Sequence, residues 1–196
     1  MKSRRGLALA GLAWALALGG CGSARAPAVP AAAHVPPRGG PGSVSRAAIE
    51  RYLGEVEPIR DGVNQLLEGA DPILGAFREQ RIPPADAVRR MGRLERRFAV
   101  YTAEIGAVDP PSARLQALNT PYAHTYVLEN AYLNALVAGL ARDRFIHLPH
   151  TQSAQRHTIV AWREELTALA RAARAPLPAD LRHAGRGEIA PSPDGS

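Results

Sequence analysis

The sequence predicts an all-α protein, an up-down-up-down four-helix bundle with a long, Pro-kinked first helix. Between residues 45 and 175, apolar residues recur at the three- and four-residue spacing of amphipathic helices. The same region is rich in Ala, Leu and Arg and poor in aromatic and β-branched runs, which favours helix over strand. Short connectors separate four such stretches, and short connectors make neighbouring helices run antiparallel. Of the 196 residues, about 130 remain once the two flanks are set aside, enough for one domain with one core.

The first stretch runs from about Ser45 to Gln80. Ile49, Val56, Val63, Ala70 and Phe77 keep a seven-residue spacing, interleaved with Tyr52, Ile59, Leu66 and Ile73, while Leu53, Leu67 and Leu74 widen the stripe. Pro58 and Pro72 fall on the outer side. They either kink one long helix, or Asp71 caps a new helix with Pro72 in its first turn, and the unbroken heptad phase favours the kinked single helix. The second stretch follows Pro83-Pro84 and sets Ala87, Met91, Leu94, Phe98, Tyr101, Ile105 and Val108 on one face, with Arg89, Arg90, Arg93, Arg96 and Arg97 on the others. This division reads the arginines as a solvated face. Asp109-Pro110-Pro111 ends the stretch.

The third stretch, Ser112 to about Arg142, begins with Leu115 and Leu118 and ends with Leu133, Leu136, Val137 and Leu140. In its middle, Tyr122, Thr125, Tyr126, Glu129 and Tyr132 fall on or beside the inward stripe, so hydroxyls and one carboxylate point to the core. The fourth, about Thr151 to Ala173, turns Ala154, Thr158, Ala161, Trp162, Leu166 and Leu169 inward and stops at Pro176-Leu177-Pro178. Residues 176–196 are poor in apolar side chains and are expected to form a disordered tail.

The amino terminus carries an address. Lys2, Arg4 and Arg5 form a positive segment, and Gly6 to Leu18 an apolar stretch shorter than the roughly 20 residues that span a bilayer as a helix. Leu18-Gly19-Gly20-Cys21 then resembles the lipobox of bacterial lipoproteins: a branched apolar residue, two small residues, and the cysteine that receives the lipid. The resemblance implies a signal peptide over residues 1–20, lipidation of Cys21, and an extracytoplasmic protein anchored to a bacterial membrane by its N-terminal lipid. Ser3-Arg4-Arg5-Gly6-Leu7-Ala8 is similar to the twin-arginine export motif, which carries proteins already folded. Residues 21–44, rich in Ala, Pro and Gly, read as a tether that holds the domain tens of Å from the headgroups.

Charge and motifs narrow the function. The formal charge of +6 loses Lys2, Arg4 and Arg5 with the signal, leaving 21 basic against 18 acidic residues. That small excess on an exported chain points away from nucleic acid. Cys21 is the single cysteine, so the folded part has neither a disulfide nor a thiol to use. His147 and His150 flank Leu148-Pro149, and His157 lies about 10.5 Å further along a helix than His150, too far to share an ion. No Glu-x-x-His, Cys-x-x-Cys-His, Gly-x-Ser-x-Gly or phosphate-cradling Gly loop occurs, so no metal, haem or other cofactor and no catalytic residues are expected.

What remains is a binding or structural module of the cell envelope, its partner an envelope protein or a small ligand; the alternative, which the twin-arginine resemblance favours, is a small-ligand- or cofactor-binding helical bundle. Glu129 is the informative residue, because a carboxylate on an apolar stripe must be paired, protonated or wet. A hairpin of the third and fourth stretches turning near His147 would set Glu129 level with Trp162 and Glu165. Tyr122, Tyr126, Glu129 and Trp162 then form either a buried polar cluster that fixes helix register or the lining of a small-ligand pocket.

Overall fold

The computed structural model describes residues 43–142, 144–182 and 189–193. The signal peptide, Cys21 and most of the tether lie outside the described residues. Within them are five α-helices and one 3-10 turn, with no strand. No described helix is long and apolar enough to cross a membrane.

Helix α1 (Arg46–Glu68) starts where Ser45, in extended conformation, accepts a hydrogen bond on Oγ from the Ala48 N–H. Such a cap satisfies one of the orphan donors of the first turn. The long first helix expected over residues 45–80 is in fact two, because α2 (Ala70–Arg78) is separated from α1 by Gly69. Pro72 supplies no N–H to the helical ladder, and the Gly69 N–H bonds back to the Leu66 carbonyl at 3.1 Å. Gly69 keeps right-handed helical angles, so the apolar stripe carries across the break and Leu67, Ala70 and Leu74 are all buried. Pro58 is tolerated inside α1 on its exposed side.

Helix α3 (Pro84–Ala107) has Pro in its first position, where a missing N–H costs nothing, and Asp86 near its positive end. Ala87, Met91, Leu94, Phe98 and Ile105 are buried, Tyr101 and Val108 partly so, and all five arginines from Arg89 to Arg97 are exposed. Helix α4 (Ala113–Arg142) is capped by Ser112, whose Oγ accepts from the Leu115 N–H at 3.2 Å. Its 30 residues extend about 45 Å. Helix α5 (Gln152–Ala173) buries Gln155, Ile159, Trp162, Leu166 and Ala170. The expected inward face is thus rotated: Trp162 and Leu166 are as anticipated, whereas Ala154 and Ala161 are exposed and Thr158 and Leu169 only partly buried.

Helix α4 packs against both α3 and α5, α1 against α3 and α5, and α2 against α3. One continuous apolar cluster draws on every helix. Along α4 and α5 the contacts run in opposite directions: Tyr122 stacks on Trp162, and seven residues on, Glu129 meets Gln155 seven residues back. Glu129 is therefore level with Gln155, not with Trp162 and Glu165 as the sequence suggested. Glu165 pairs instead with Arg114 at 2.5 Å. The turn of this hairpin is lopsided, because the end of α4 projects past the start of α5 and residues 144–151 double back over it. The Arg144 N–H bonds the Gly139 carbonyl at 3.0 Å, and Phe145 lies so close that a Cβ at Gly139 would stand 2.7 Å from its ring.

Part of the segment expected to be disordered packs against the bundle. Leu181, in the 3-10 turn Asp180–Arg182, and Ala190 are both buried. Residues 189–193 form a strap whose carbonyls accept hydrogen bonds from side chains of the bundle. Gln152 Nε2 donates to the Ala190 carbonyl at 2.9 Å and Arg78 Nη1 to that of Pro193 at 3.0 Å.

Arg174, just after α5, stands in the left-handed region at φ 53° and forms the C-cap through its backbone N–H. A side chain there is strained where glycine is not. Arg174→Gly is expected to raise stability by about 0.5–1 kcal/mol in denaturant titration. An unchanged midpoint would mean that the arginine side chain returns what its backbone loses.

Candidate functional site

All four candidate residues are buried: Tyr122 at 0 %, Tyr126 and Glu129 at 1 % and Trp162 at 2 % exposure. Helical spacing explains the set on α4, since Tyr122, Tyr126 and Glu129 stand at i, i+4 and i+7 on one face. They do not converge on one point. Tyr122, Tyr126 and Trp162 form an aromatic cluster, and Glu129, the next inward residue after Tyr126 on α4, bonds instead to Gln155 and Ala190.

The Tyr122 and Trp162 rings stack with centroids 4.1 Å apart and planes at 12°. Tyr126 meets Tyr122 edge-on at 5.5 Å and stacks on Phe98 of α3 at 5.8 Å. The polar tips are also engaged. The Tyr122 and Tyr126 hydroxyls share a hydrogen bond at 3.1 Å. Trp162 Nε1 donates to the Tyr52 hydroxyl at 2.9 Å, which in turn donates to Asn119 Oδ1 at 2.9 Å. Burial pushes the Tyr52 phenol well above its usual range, although the Trp162 hydrogen bond works the other way. It stays a neutral donor.

On the α1 side, the guanidinium of Arg60, fully buried, lies 5.3 Å from the Trp162 ring centroid. Nη1 is 2.6 Å from Glu57 Oε1 and Nη2 is 2.9 Å from Asp180 Oδ2. A buried cation needs such partners, and the aromatic face adds a third favourable contact. Burial nevertheless raises the Glu57 pKa, outweighing the attraction of Arg60. Among the described residues, Glu57, Asp61 and Asp180 are the acids close enough to hold a cation together, yet Arg60 already supplies the positive charge for two of them. His147, His150 and His157 are all exposed and belong to no such cluster.

Among the described residues, Glu129 has two hydrogen-bond donors and no counter-ion. The Ala190 N–H of the strap donates to Oε1 at 2.8 Å. The Gln155 amide is oriented by its partners: Nε2 donates to Glu129 Oε2 at 2.9 Å, and its oxygen accepts from the Glu129 N–H at 2.9 Å. Burial pushes the carboxyl up to about 7, and these two hydrogen bonds only partly oppose the shift.

Tyr52, Arg60, Asn119 and Gln155 complete the polar core but were absent from the candidate set. Asn119 was legible, as it stands three residues before Tyr122 on the same stripe. Gln155 was obscured by the rotated α5 face. Arg60 carried only a weak signal, its placement beside Ile59 and three residues after Glu57.

Comparison with protein-family models, curated proteins and solved structures finds no match to this chain.

Proposed function

We propose that this chain is a lipid-tethered module of a bacterial cell envelope, extracytoplasmic and anchored through Cys21, which acts by binding or scaffolding rather than by catalysis. The carrying observation is the order of signals at the amino terminus: Lys2-Ser3-Arg4-Arg5, an apolar stretch, Leu18-Gly19-Gly20-Cys21, then a Pro- and Gly-rich tether before a folded core. In this reading the domain is an up-down-up-down bundle, and α1 with α2 serves as its first arm. Its working surface meets an envelope protein or a small ligand.

The filled interior supports a non-catalytic role. Tyr122, Tyr126 and Trp162 spend their ring faces and polar tips on one another, on Phe98 and on Tyr52. Glu129 is spent on Gln155 and Ala190. These contacts favour a register-fixing polar core over a ligand pocket at these four residues, and no nucleophile with an accessible base is among them.

The test is metabolic labelling with radioactive palmitate. The wild type should take up label and fractionate with membranes, while Cys21→Ser should take up none and fractionate as unanchored protein. Label retained by Cys21→Ser would refute the lipid anchor.

A further inference from the structure

We propose that the cavity between the end of α4 and the connector 144–148 is a binding site for a single-chain anionic amphiphile, such as a fatty acid. The cavity measures about 420 Å³, within the size range of small-molecule sites. It exists because, below Arg142, the last turns of α4 face the Phe145 and Leu148 of the connector with the small side chains of Ala135, Ala138 and Gly139. Phe145 is wedged in place: it packs edge-on to Phe77 of α2 at 6.3 Å and closes over Gly139. The result is an apolar recess walled by Phe145 and the small side chains of α4.

The remaining lining side chains are Arg142, Arg144 and His147, all exposed, and no carboxylate is among the described lining residues. Neither arginine has an ion-pair partner among the described residues, in contrast to Arg46, Arg81 and Arg89, each of which faces an acid. Apolar walls with two exposed guanidiniums at the edge match an alkyl chain ending in a carboxylate or phosphate, because guanidinium binds such heads through paired hydrogen bonds. Ile146, in the same connector, is 72 % exposed and adds apolar surface for a chain longer than the recess. A neutral alkane would leave the cationic edge unused, and a free inorganic anion would leave the walls dry. An anionic amphiphile satisfies both.

The proposal does not depend on Cys21, so it is tested on the full chain carrying Cys21→Ser, whether or not that residue proves to be lipidated. Laurate, kept below its critical micelle concentration, is titrated calorimetrically beside dodecanol. Saturable binding of one laurate is expected. Ala138→Phe, which fills the recess from a helical position, should weaken it by about tenfold or more, and Arg142→Gln with Arg144→Gln by about tenfold, with dodecanol unaffected by the arginine pair. Absence of saturable laurate binding would overturn the proposal, as would undiminished binding to a folded Ala138→Phe chain. Should Ala138→Phe fail to fold, the arginine pair decides alone: equal laurate affinity there overturns the site, and selective loss of laurate over dodecanol supports it.

Discussion

Trp162→Ala is expected to cost about 3–5 kcal/mol in equilibrium denaturation, a large share of what holds a domain of this size together. Three contacts end on this one side chain. Tyr122 loses the ring it stacks on at 4.1 Å, Arg60 loses the aromatic face 5.3 Å from its guanidinium, and the Tyr52 hydroxyl loses its donor. Because these partners come from α4 and α1, truncation opens a cavity where three helices meet, with little freedom to collapse. Trp162→Phe separates the contributions. It keeps a ring for Tyr122 and Arg60 but removes the indole N–H, so its cost should fall to about 1–2 kcal/mol. A Trp162→Ala variant that loses less than about 1 kcal/mol would show that the stack is a passive filling and not the joint of the bundle.

The same residue marks where sequence reasoning succeeded and where it stopped. Hydropathy spacing placed α3 and α4 well, and Tyr122, Thr125, Tyr126, Glu129 and Tyr132 are all buried as their stripe position demanded. On α3 an apolar residue recurs at each turn, and on α4 the leucines at both ends fix the phase that the polar middle follows. On α5 the phase slipped, because Ala and Thr say little about facing and Gln155 reads as a surface residue until Glu129 is beside it. Buried polar groups are legible only through their partners, and here those partners are remote: 67 residues from Tyr52 to Asn119, 110 from Tyr52 to Trp162, 61 from Glu129 to Ala190. Helix–helix register was lost for a related reason. A 30-residue α4 against a 22-residue α5 leaves an overhang, and the sequence does not say at which end it falls. The strap at 189–193 carries no apolar periodicity. It is held mainly through its backbone N–H and carbonyl groups, which every residue possesses.

Glu129 makes the folded protein respond to pH with a sign opposite to that of an ordinary ion-paired carboxylate. In the unfolded chain it titrates near the usual glutamate value, while burial holds it up to about 7 in the fold. Between these two values the unfolded state has released a proton that the folded state still keeps. The unfolded state binds fewer protons, so stability falls as pH rises through this window, then levels off once both states are ionised. The shift corresponds to about 3 kcal/mol across the window, fully present in favour of the fold at the acidic end. Glu129→Gln removes the titrating group but keeps an oxygen for the Ala190 N–H, and Gln155 can turn its amide to offer an oxygen to the new Nε2. The variant should therefore match the wild type to within about 1 kcal/mol at pH 4 and exceed it by about 3 kcal/mol at pH 8. Glu57, whose raised pKa acts in the same direction, contributes to the slope left in the variant. Urea titrations of both proteins at intervals from pH 4 to pH 8 read the difference directly. Parallel curves would mean that water reaches the carboxylate and that the strap does not seal it, whereas curves that diverge as the pH rises place a neutral glutamic acid in the core at the acidic end and an ionised carboxylate there at the alkaline end.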